Sequence, residues 1–219
     1  MIKCVIFDLD GTLVNTIDDL ANTCEYLLKQ NGITSKWTMD DYKSFVGNGA
    51  KVLVERAFGG KLTESELSRQ YEIFKVKYNE DKLKNAYAYD GMTEVVNALK
   101  ANGFKLACCS NKPHVSTTEM VEALYGKGTF DFILGGKDDV PKKPSREMTG
   151  AILKALNVKA SECVWVGDSG VDIQSARNLG CECIAVTWGY RSFGELFKFS
   201  PTVILDRPEE ILSFLNVNS

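Results

Sequence analysis

The sequence lacks any long apolar run, and this absence limits the kind of protein that it can encode. No stretch approaches the ~18 consecutive apolar residues that a membrane-spanning helix requires. The apolar start, Met1 to Phe7, gives way at once to Asp8-Leu9-Asp10, which is not the pattern of a secretory signal. We therefore expect a cytoplasmic protein with no membrane partner.

A strong charge of one sign is also missing. The 219 residues carry 26 Lys and Arg against 29 Asp and Glu, which gives a formal net charge of −3. Nucleic-acid surfaces are usually marked by clustered lysine and arginine, so we expect no nucleic-acid partner. An anionic substrate would have to be bound by a few local positive groups.

Zinc ligands are scarce as well. The sequence has one histidine, and its seven cysteines form no Cys-x-x-Cys pair, which argues against a zinc site. Several cysteines lie in apolar runs, and we expect them to be reduced thiols in the core. The length suits one full-sized domain, or a core domain that carries a smaller one.

Short apolar runs recur along the chain and alternate with helical patterns. Continuous apolar strands usually lie in a parallel sheet that is covered on both faces. The alternation predicts an α/β fold built on a doubly wound, mostly parallel sheet. The predicted strands are Cys4 to Phe7, Lys105 to Cys109, Phe132 to Leu134, Cys163 to Val166, Cys183 to Val186 and Thr202 to Leu205.

One segment interrupts this alternation. From 16 to 87 there is no clear strand, and amphipathic stretches such as Leu20 to Leu28 and Leu67 to Tyr78 predict helices. We therefore expect an α/β catalytic core formed by 1–15 and 88–219, with 16–87 inserted after the first strand as an all-helical cap.

Four polar clusters follow predicted strands, at the sheet edge where ligands of open α/β folds bind. Taken singly, each has a structural explanation, such as a turn, a helix N-cap or a solvated loop. Together they predict an active site, because independent turns rarely bring acids, a hydroxyl, an amide and a base to neighbouring strand ends. The clusters are Asp8-Leu9-Asp10-Gly11-Thr12, Ser110-Asn111-Lys112-Pro113, Lys142-Lys143-Pro144 and Gly167-Asp168-Ser169-Gly170-Val171-Asp172.

These groups suit phosphoryl transfer, in which catalysis is mostly positioning and charge neutralisation. A carboxylate such as Asp8 can attack phosphorus and form an acyl-phosphate. Asp10 could protonate the leaving alcohol and later deprotonate the attacking water. Asp8, Asp10 and Asp168 offer the hard oxygen ligands that suit Mg²⁺. Ser110 and Lys143 would bind the remaining phosphate oxygens.

The four clusters resemble the motifs of the haloacid dehalogenase superfamily of aspartate-dependent phosphatases, in its branch with a helical cap after the first strand. The resemblance covers essentially the whole chain. It implies that Asp8 is the nucleophile and Asp10 the acid/base. It also implies that Lys143 is catalytic and binds phosphate together with Ser110 and Asn111.

For the metal, the resemblance implies that Asp168 is a ligand of Mg²⁺. Supporting positions behind the reacting groups are implied for Asp172, Thr12 and Ser169. In that position Asp172 would orient Lys143 or a metal-bound water.

Within that branch, the chain resembles the phosphoglycolate phosphatases at Val46-Gly47-Asn48-Gly49-Ala50 in the cap and at Trp188-Gly189-Tyr190. The glycines Gly47 and Gly49, with Asn48 between them, would let the backbone approach the leaving group closely. An ordinary interhelix turn could use the same residues. We expect this loop to select the substrate, with its backbone N–H groups meeting a carboxylate and Arg56 or Lys51 as candidate additional partners.

The sequence thus predicts a phosphate monoester hydrolase that acts on a small phosphorylated metabolite, with 2-phosphoglycolate as the expected substrate. A sugar phosphomutase similar to β-phosphoglucomutase, and a pyrophosphatase or nucleotide phosphatase, remain alternatives on the same fold. Asp10 argues against halide removal from carbon, which needs no second acid. A non-catalytic module would usually have lost the nucleophile or the metal-binding acids.

Some properties stay open at this point. The chain could act as a monomer or a homodimer. Asn15 and Arg146 depart from the family pattern, and either residue could alter cap closure or specificity.

Overall fold

The computed structural model describes residues 1–137 and 140–217, and within them a six-stranded parallel sheet is the central feature. Its order is β5-β4-β1-β6-β7-β8, and a separate two-stranded ribbon pairs β2 with β3. The strands are β1 (Cys4–Phe7), β2 (Val14–Asn15), β3 (Tyr87–Ala88), β4 (Lys105–Pro113), β5 (Phe132–Gly136), β6 (Cys163–Gly167), β7 (Glu182–Val186) and β8 (Val203–Leu205).

Helices connect the strands and cover both faces of the sheet, which confirms the predicted α/β fold. A short 3₁₀ turn, Ala160–Glu162, precedes β6. The α-helices are α1 (Ile17–Gln30), α2 (Met39–Phe45), α3 (Ala50–Ala57), α4 (Glu64–Asp81), α5 (Met92–Ala101), α6 (His114–Tyr125), α7 (Arg146–Leu156), α8 (Gly170–Leu179), α9 (Phe193–Phe197) and α10 (Glu210–Phe214).

Strand β1 shows why the core strands are apolar throughout. Side chains alternate between the two faces of a strand, so Val5 and Phe7 enter the cluster beside α5, α6 and α10. Cys4 and Ile6 enter the opposite cluster, beside α7, α8 and α9. Both faces are therefore buried, as a continuous apolar run predicts.

The sequence prediction differs from the structure at strand ends and at short strands. Strand β4 continues past Cys109 to Pro113, so its last residues belong to the predicted polar cluster. The ribbon of β2 and β3 is antiparallel and was not predicted. Two-residue strands are too short to show any periodicity.

Helices α1 to α4 pack around an apolar cluster of their own, which includes Leu27, Leu53 and Phe74. Capping boxes at Thr38 and Thr63 begin α2 and α4. The ribbon of β2 and β3 lies at the two ends of this helical segment. The division into a core at 1–15 and 88–219 and a cap at 16–87 stays a prediction.

The helix lengths and the state of the cysteines bear on the membrane and disulfide expectations. Among the described residues, every helix is too short or too polar to cross a bilayer. All seven cysteines are unpaired, and all except Cys181 are buried.

The buried carboxylate of Asp19 connects the start of α1 to the segment that leads into β3. It accepts hydrogen bonds from the backbone N–H of Asn85 and of Ala86, at 3.0 Å each, and from Asn85 Nδ2 at 2.7 Å. Buried N–H groups that lose their acceptor are costly. Asp19 is therefore a structural residue at the junction between helix and ribbon.

We expect Asp19→Ala to lower the free energy of unfolding by about 2–3 kcal/mol, because two backbone N–H groups lose their acceptor. Urea unfolding measures this change. The matched control is Asp18→Ala, which removes an exposed acid at the neighbouring position and should cost about 0.5 kcal/mol. Equal losses in the two variants would contradict the structural role of Asp19.

Candidate active site

The predicted polar clusters meet at one edge of the sheet. Strand β1 lies between β4 and β6, and all three run parallel, so their carboxyl ends share that edge. A cavity of about 210 Å³ opens there, between the sheet edge and helices α1, α3 and α4. The predicted site residues that line it are Asp8, Asp10, Gly47, Gly49, Ser110, Asn111, Asp168 and Ser169.

Asp8 follows directly on β1 and is almost completely buried. Its Oδ1 lies 2.8 Å from Lys143 Nζ and accepts the N–H of Leu9 at 2.7 Å. Burial and the charge of Asp172 raise the pKa of Asp8 well above its ordinary value, although Lys143 opposes the shift. The carboxylate is thus poorly hydrated and depends on one lysine for charge compensation.

Lys143 lies between two carboxylates. Its Nζ is 2.8 Å from Asp8 Oδ1 and 2.9 Å from Asp172 Oδ1, and it lies 5.6 Å from the centre of the Trp165 ring. Burial alone would lower the pKa of Lys143, but the charges of Asp172 and Asp8 outweigh burial and raise it. The lysine is therefore a cation at neutral pH.

Asp172 supports Lys143 from the side away from the cavity. Both of its carboxylate oxygens accept hydrogen bonds. Oδ1 accepts from Lys143 Nζ and, at 3.2 Å, from Trp165 Nε1. Oδ2 accepts from Ser169 Oγ at 2.5 Å. The N–H of Asp172 in turn donates to Ser169 Oγ, which caps α8. These contacts fix the carboxylate that positions Lys143.

Asp168 approaches the backbone so closely that glycine is required beside it. A Cβ on Gly11, where φ is +84°, or on Gly189 would collide with the Asp168 side chain. Asp168 Oδ2 accepts the N–H of Tyr190 at 2.7 Å. Burial, together with the charge of Asp172, raises the pKa of Asp168 to about 7.

Three carboxylates are close enough to share a metal ion, but they are not the predicted three. One oxygen each from Asp8, Asp168 and Asp172 lies within 4.8 Å of the others. Asp10 was predicted in place of Asp172. Its Oδ1 accepts hydrogen bonds from Lys112 Nζ at 2.8 Å and from Thr16 Oγ1 at 2.7 Å, while its part in metal binding stays a prediction.

In the structure, the side chain of Asn111, which was predicted to bind phosphate, forms hydrogen bonds to backbone groups. Its Nδ2 donates to the carbonyls of Gly47, at 2.9 Å, and Lys143, at 3.2 Å, and its Oδ1 accepts the N–H of Lys143 at 2.8 Å. The side chain therefore positions the backbone of Lys143 and of Gly47. Ser110 Oγ, which also lines the cavity, accepts the N–H of Lys112 at 3.2 Å.

Thr12 lies in the turn after β1 and is fully buried. Its carbonyl accepts Trp188 Nε1 at 3.1 Å. Among the described residues, no group is bonded to its Oγ1, so the structure gives the hydroxyl no supporting contact.

The predicted substrate loop contributes backbone more than side chain. Gly47 and Gly49 line the cavity and have φ values of +113° and +92°, which favour glycine. Asn48 is exposed and is not among the lining residues of the described chain.

The two cap cations expected to meet a carboxylate are used elsewhere. Arg56 donates from Nη1 to the carbonyl of Phe45 at 2.9 Å, and Lys51 forms an ion pair with Glu64. Both contacts lie within the helical segment. Neither residue lines the cavity, and contact of Arg56 or Lys51 with a substrate stays a prediction.

Three cations of the described chain line the cavity, Lys75, Lys112 and Arg191, and the sequence predicted a role for none of them. Lys112 comes directly after Ser110-Asn111, and its place at a strand end was a usable signal. Arg191 donates to the carbonyls of Lys43 and Val46, at 2.6 and 2.8 Å, at the end of α2. Nothing in the sequence indicates that contact, which joins residues almost 150 positions apart.

The two departures from the family pattern lie away from the cavity. Asn15 Nδ2 donates to the Tyr87 hydroxyl at 2.9 Å, and its Oδ1 accepts the N–H of Ile17 at 3.2 Å. Arg146 begins α7. Neither residue contributes to the cavity lining.

Comparisons with known proteins agree with this arrangement. Residues 5–186 match the model of the haloacid dehalogenase-like hydrolase family. A phosphoglycolate phosphatase of Colwellia psychrerythraea is 33% identical over 216 residues, covering 96% of this chain and 95% of its own. The phosphoglycolate phosphatase of Aquifex aeolicus is 29% identical, with 98% and 97% covered.

Solved structures show the same fold. A crystal structure from Lactobacillus delbrueckii subsp. bulgaricus superposes with a TM-score of 0.91 at 35% identity, covering 97% of this chain and 98% of the other. A predicted phosphoglycolate phosphatase from Haemophilus somnus gives a TM-score of 0.90 at 30% identity, with 98% of each chain covered.

The raised pKa of Asp168 predicts that the metal-free protein loses stability as the pH rises. The folded state keeps a proton on Asp168 up to about pH 7, whereas the unfolded chain releases it near ~3.9. The stabilisation from this proton is therefore complete below the pKa of Asp168 in the unfolded chain. It is lost as the pH rises through the pKa of Asp168 in the folded state. Thermal unfolding with a chelator should show Tm falling across that range.

The isosteric variant Asp168→Asn provides the control, since its amide does not titrate. Its Tm should fall less steeply with pH than that of the unmodified protein. Identical slopes in the two proteins would contradict a raised pKa at Asp168.

Proposed function

The chain belongs to the haloacid dehalogenase-like hydrolase family, and we propose that it is a Mg²⁺-dependent phosphatase that forms a phospho-aspartate on Asp8. The proposed substrate is 2-phosphoglycolate. One observation carries the proposal. The Asp8 carboxylate lines the cavity and is 2.8 Å from the buried ammonium of Lys143, so a nucleophile and a phosphate-binding cation lie together.

Asp8 attacks the phosphorus of the ester and forms a P–O bond, while the P–O bond to the alcohol breaks. Lys143 holds the carboxylate in place and compensates charge on the phosphate oxygens, as preorganised donors do. Ser110 Oγ lies in the same cavity and binds a further phosphate oxygen. The acyl-phosphate on Asp8 is then hydrolysed by water.

Asp10 moves the proton in both halves of the reaction. It lines the cavity, and Thr16 Oγ1 and Lys112 Nζ fix the position of its carboxyl group. Asp10 gives its proton to the oxygen of the departing alcohol. It then takes a proton from the water that attacks the phosphorus.

The acidic residues fit a magnesium ion. Their oxygens are hard ligands, which suit Mg²⁺ better than softer metals. Burial, together with the charge of Asp172, raises the pKa values of Asp8 and Asp168, so a bound cation would supply charge compensation that water cannot give here. Asp8 and Asp168 would hold the ion from the cavity side, with Asp10 beside them as the sequence predicted. When bound, Mg²⁺ lessens the repulsion between the nucleophile and the phosphate.

Asp172 is better suited to support than to metal binding. Its two oxygens already accept three hydrogen bonds, and it does not line the cavity. It therefore orients Lys143.

The substrate proposal is supported by the relatives from Colwellia psychrerythraea and Aquifex aeolicus, both named phosphoglycolate phosphatases. At about 30% identity these names suggest a substrate for the chain without fixing it. The cytoplasmic location and the choice between monomer and homodimer stay predictions.

A substrate panel with Mg²⁺ tests the proposal. We expect 2-phosphoglycolate to give the highest kcat/KM among phosphoglycolate, sugar phosphates, nucleotides, pyrophosphate and pyridoxal phosphate. Chelation should abolish turnover and added Mg²⁺ should restore it, because the carboxylates then regain their counter-ion. Ca²⁺ should inhibit, since it takes more ligands at longer distances.

Two outcomes would contradict this assignment. Turnover that needs a sugar bisphosphate activator would indicate a phosphomutase. Full activity after exhaustive chelation would rule out the proposed metal requirement.

A further inference from the structure

Lys112 is a buried cation in the cavity to which the family motifs assign no part. It stands near the end of β4 and is 5% exposed. Its Nζ lies 2.8 Å from Asp10 Oδ1 and 4.6 Å from the centre of the Tyr78 ring on α4. Lys112 therefore joins the sheet edge to the helical segment across the cavity.

We propose that Lys112 binds a carboxylate on the alcohol part of the substrate and so selects phosphate esters of acidic alcohols. This inference rests on the proposed function and assigns its specificity to a residue. The predicted loop at Gly47-Asn48-Gly49 then shapes the cavity, while the charge that recognises the substrate comes from the core.

The position of Lys112 relative to Asp10 gives the first argument. Asp10 is the proposed proton donor to the leaving alcohol, so the leaving group must lie beside it. Lys112 is in direct contact with Asp10, whereas Lys143 contacts Asp8 on the phosphate side. The two buried lysines thus mark a phosphate end beside Asp8 and an alcohol end beside Asp10, and both of these acids line the cavity.

The other positive groups of the cavity lining are less suitable. Arg191 uses its guanidinium to bind backbone carbonyls at the end of α2, including that of Val46. Lys75 forms an ion pair with Glu72, and its side chain is 34% exposed. Among the described lining residues, Lys112 is the cation that is buried.

The remaining walls explain why a buried cation is needed. Leu20, Leu53 and Phe74 line the cap side of the cavity, and a carboxylate beside apolar walls must be paired to offset its lost hydration. An ammonium group has three N–H donors, so Lys112 can bond a second anion while it keeps Asp10.

The test compares two esters that differ only at the end distant from phosphate, 2-phosphoglycolate and ethyl phosphate. Calorimetry with Mg²⁺ measures their binding to Asp8→Asn protein, which cannot form the phospho-aspartate. Adding Lys112→Met to this protein should weaken its binding of 2-phosphoglycolate by about 10-fold or more. Each tenfold change in Kd corresponds to ~1.4 kcal/mol of binding free energy. The affinity for ethyl phosphate should fall by less than about 3-fold, because this ester has no carboxylate that could lose its partner.

Two further variants keep the result interpretable. Lys112→Gln retains a polar group and should give the same selective loss if the Met variant folds poorly. Lys82→Met removes another buried lysine, paired with Glu119 outside the cavity lining, and should leave the ratio of the two affinities unchanged. Tm values confirm that each variant is folded.

The outcomes separate this inference from the proposed function. Equal weakening of both esters, no change in either, or no initial preference for 2-phosphoglycolate would overturn the assignment of Lys112. Binding of 2-phosphoglycolate that depends on Lys112, in an enzyme that does not hydrolyse this ester, would support the inference and refute the substrate proposal. Hydrolysis of 2-phosphoglycolate that is independent of Lys112 would support the substrate proposal and refute the role of Lys112.

Discussion

The ion pair of Lys143 with Asp8 and Asp172 is the constraint on which the rest of the site depends. Each buried charge costs several kcal/mol unless it is paired in good geometry. One lysine faces two carboxylates at 2.8 and 2.9 Å, so the group keeps a net negative charge. Asp168 adds to this negative charge when it releases its proton, which favours binding of a divalent cation.

The same constraint explains the surrounding hydrogen bonds. Asn111 fixes the backbone of Lys143, and Trp165 and Ser169 fix Asp172. Because these partners come from different strands, the ion pair forms only when the sheet edge is correctly assembled. Catalytic geometry and the topology of the sheet are therefore linked.

Contacts between the sheet edge and the helical segment complete the cavity. Asn111 donates to the carbonyl of Gly47, and Arg191 to carbonyls at the end of α2. The Tyr190 hydroxyl accepts the N–H of Thr16, whose own hydroxyl donates to Asp10. The position of Asp10 is thus connected to the start of α1.

Local patterns were sufficient to predict the α/β fold and which polar residues meet at one edge of the sheet. Continuous apolar runs such as Cys4 to Phe7 identified the buried strands, and polar residues after them marked the shared edge. The pattern could not show that Asp10 bonds Lys112, 102 positions away, or that Arg56 is used within the helices. Such contacts depend on how distant segments pack, and no periodicity encodes them.

The central claim is that Asp8 carries the phosphoryl group during turnover. Acid quenching in the first turnover, followed by borohydride reduction and peptide mass spectrometry, detects an aspartyl-phosphate as homoserine at its position. We expect homoserine at position 8 in the unmodified protein and none in Asp8→Asn protein. Turnover without any trapped intermediate, or trapping at another residue, would contradict it.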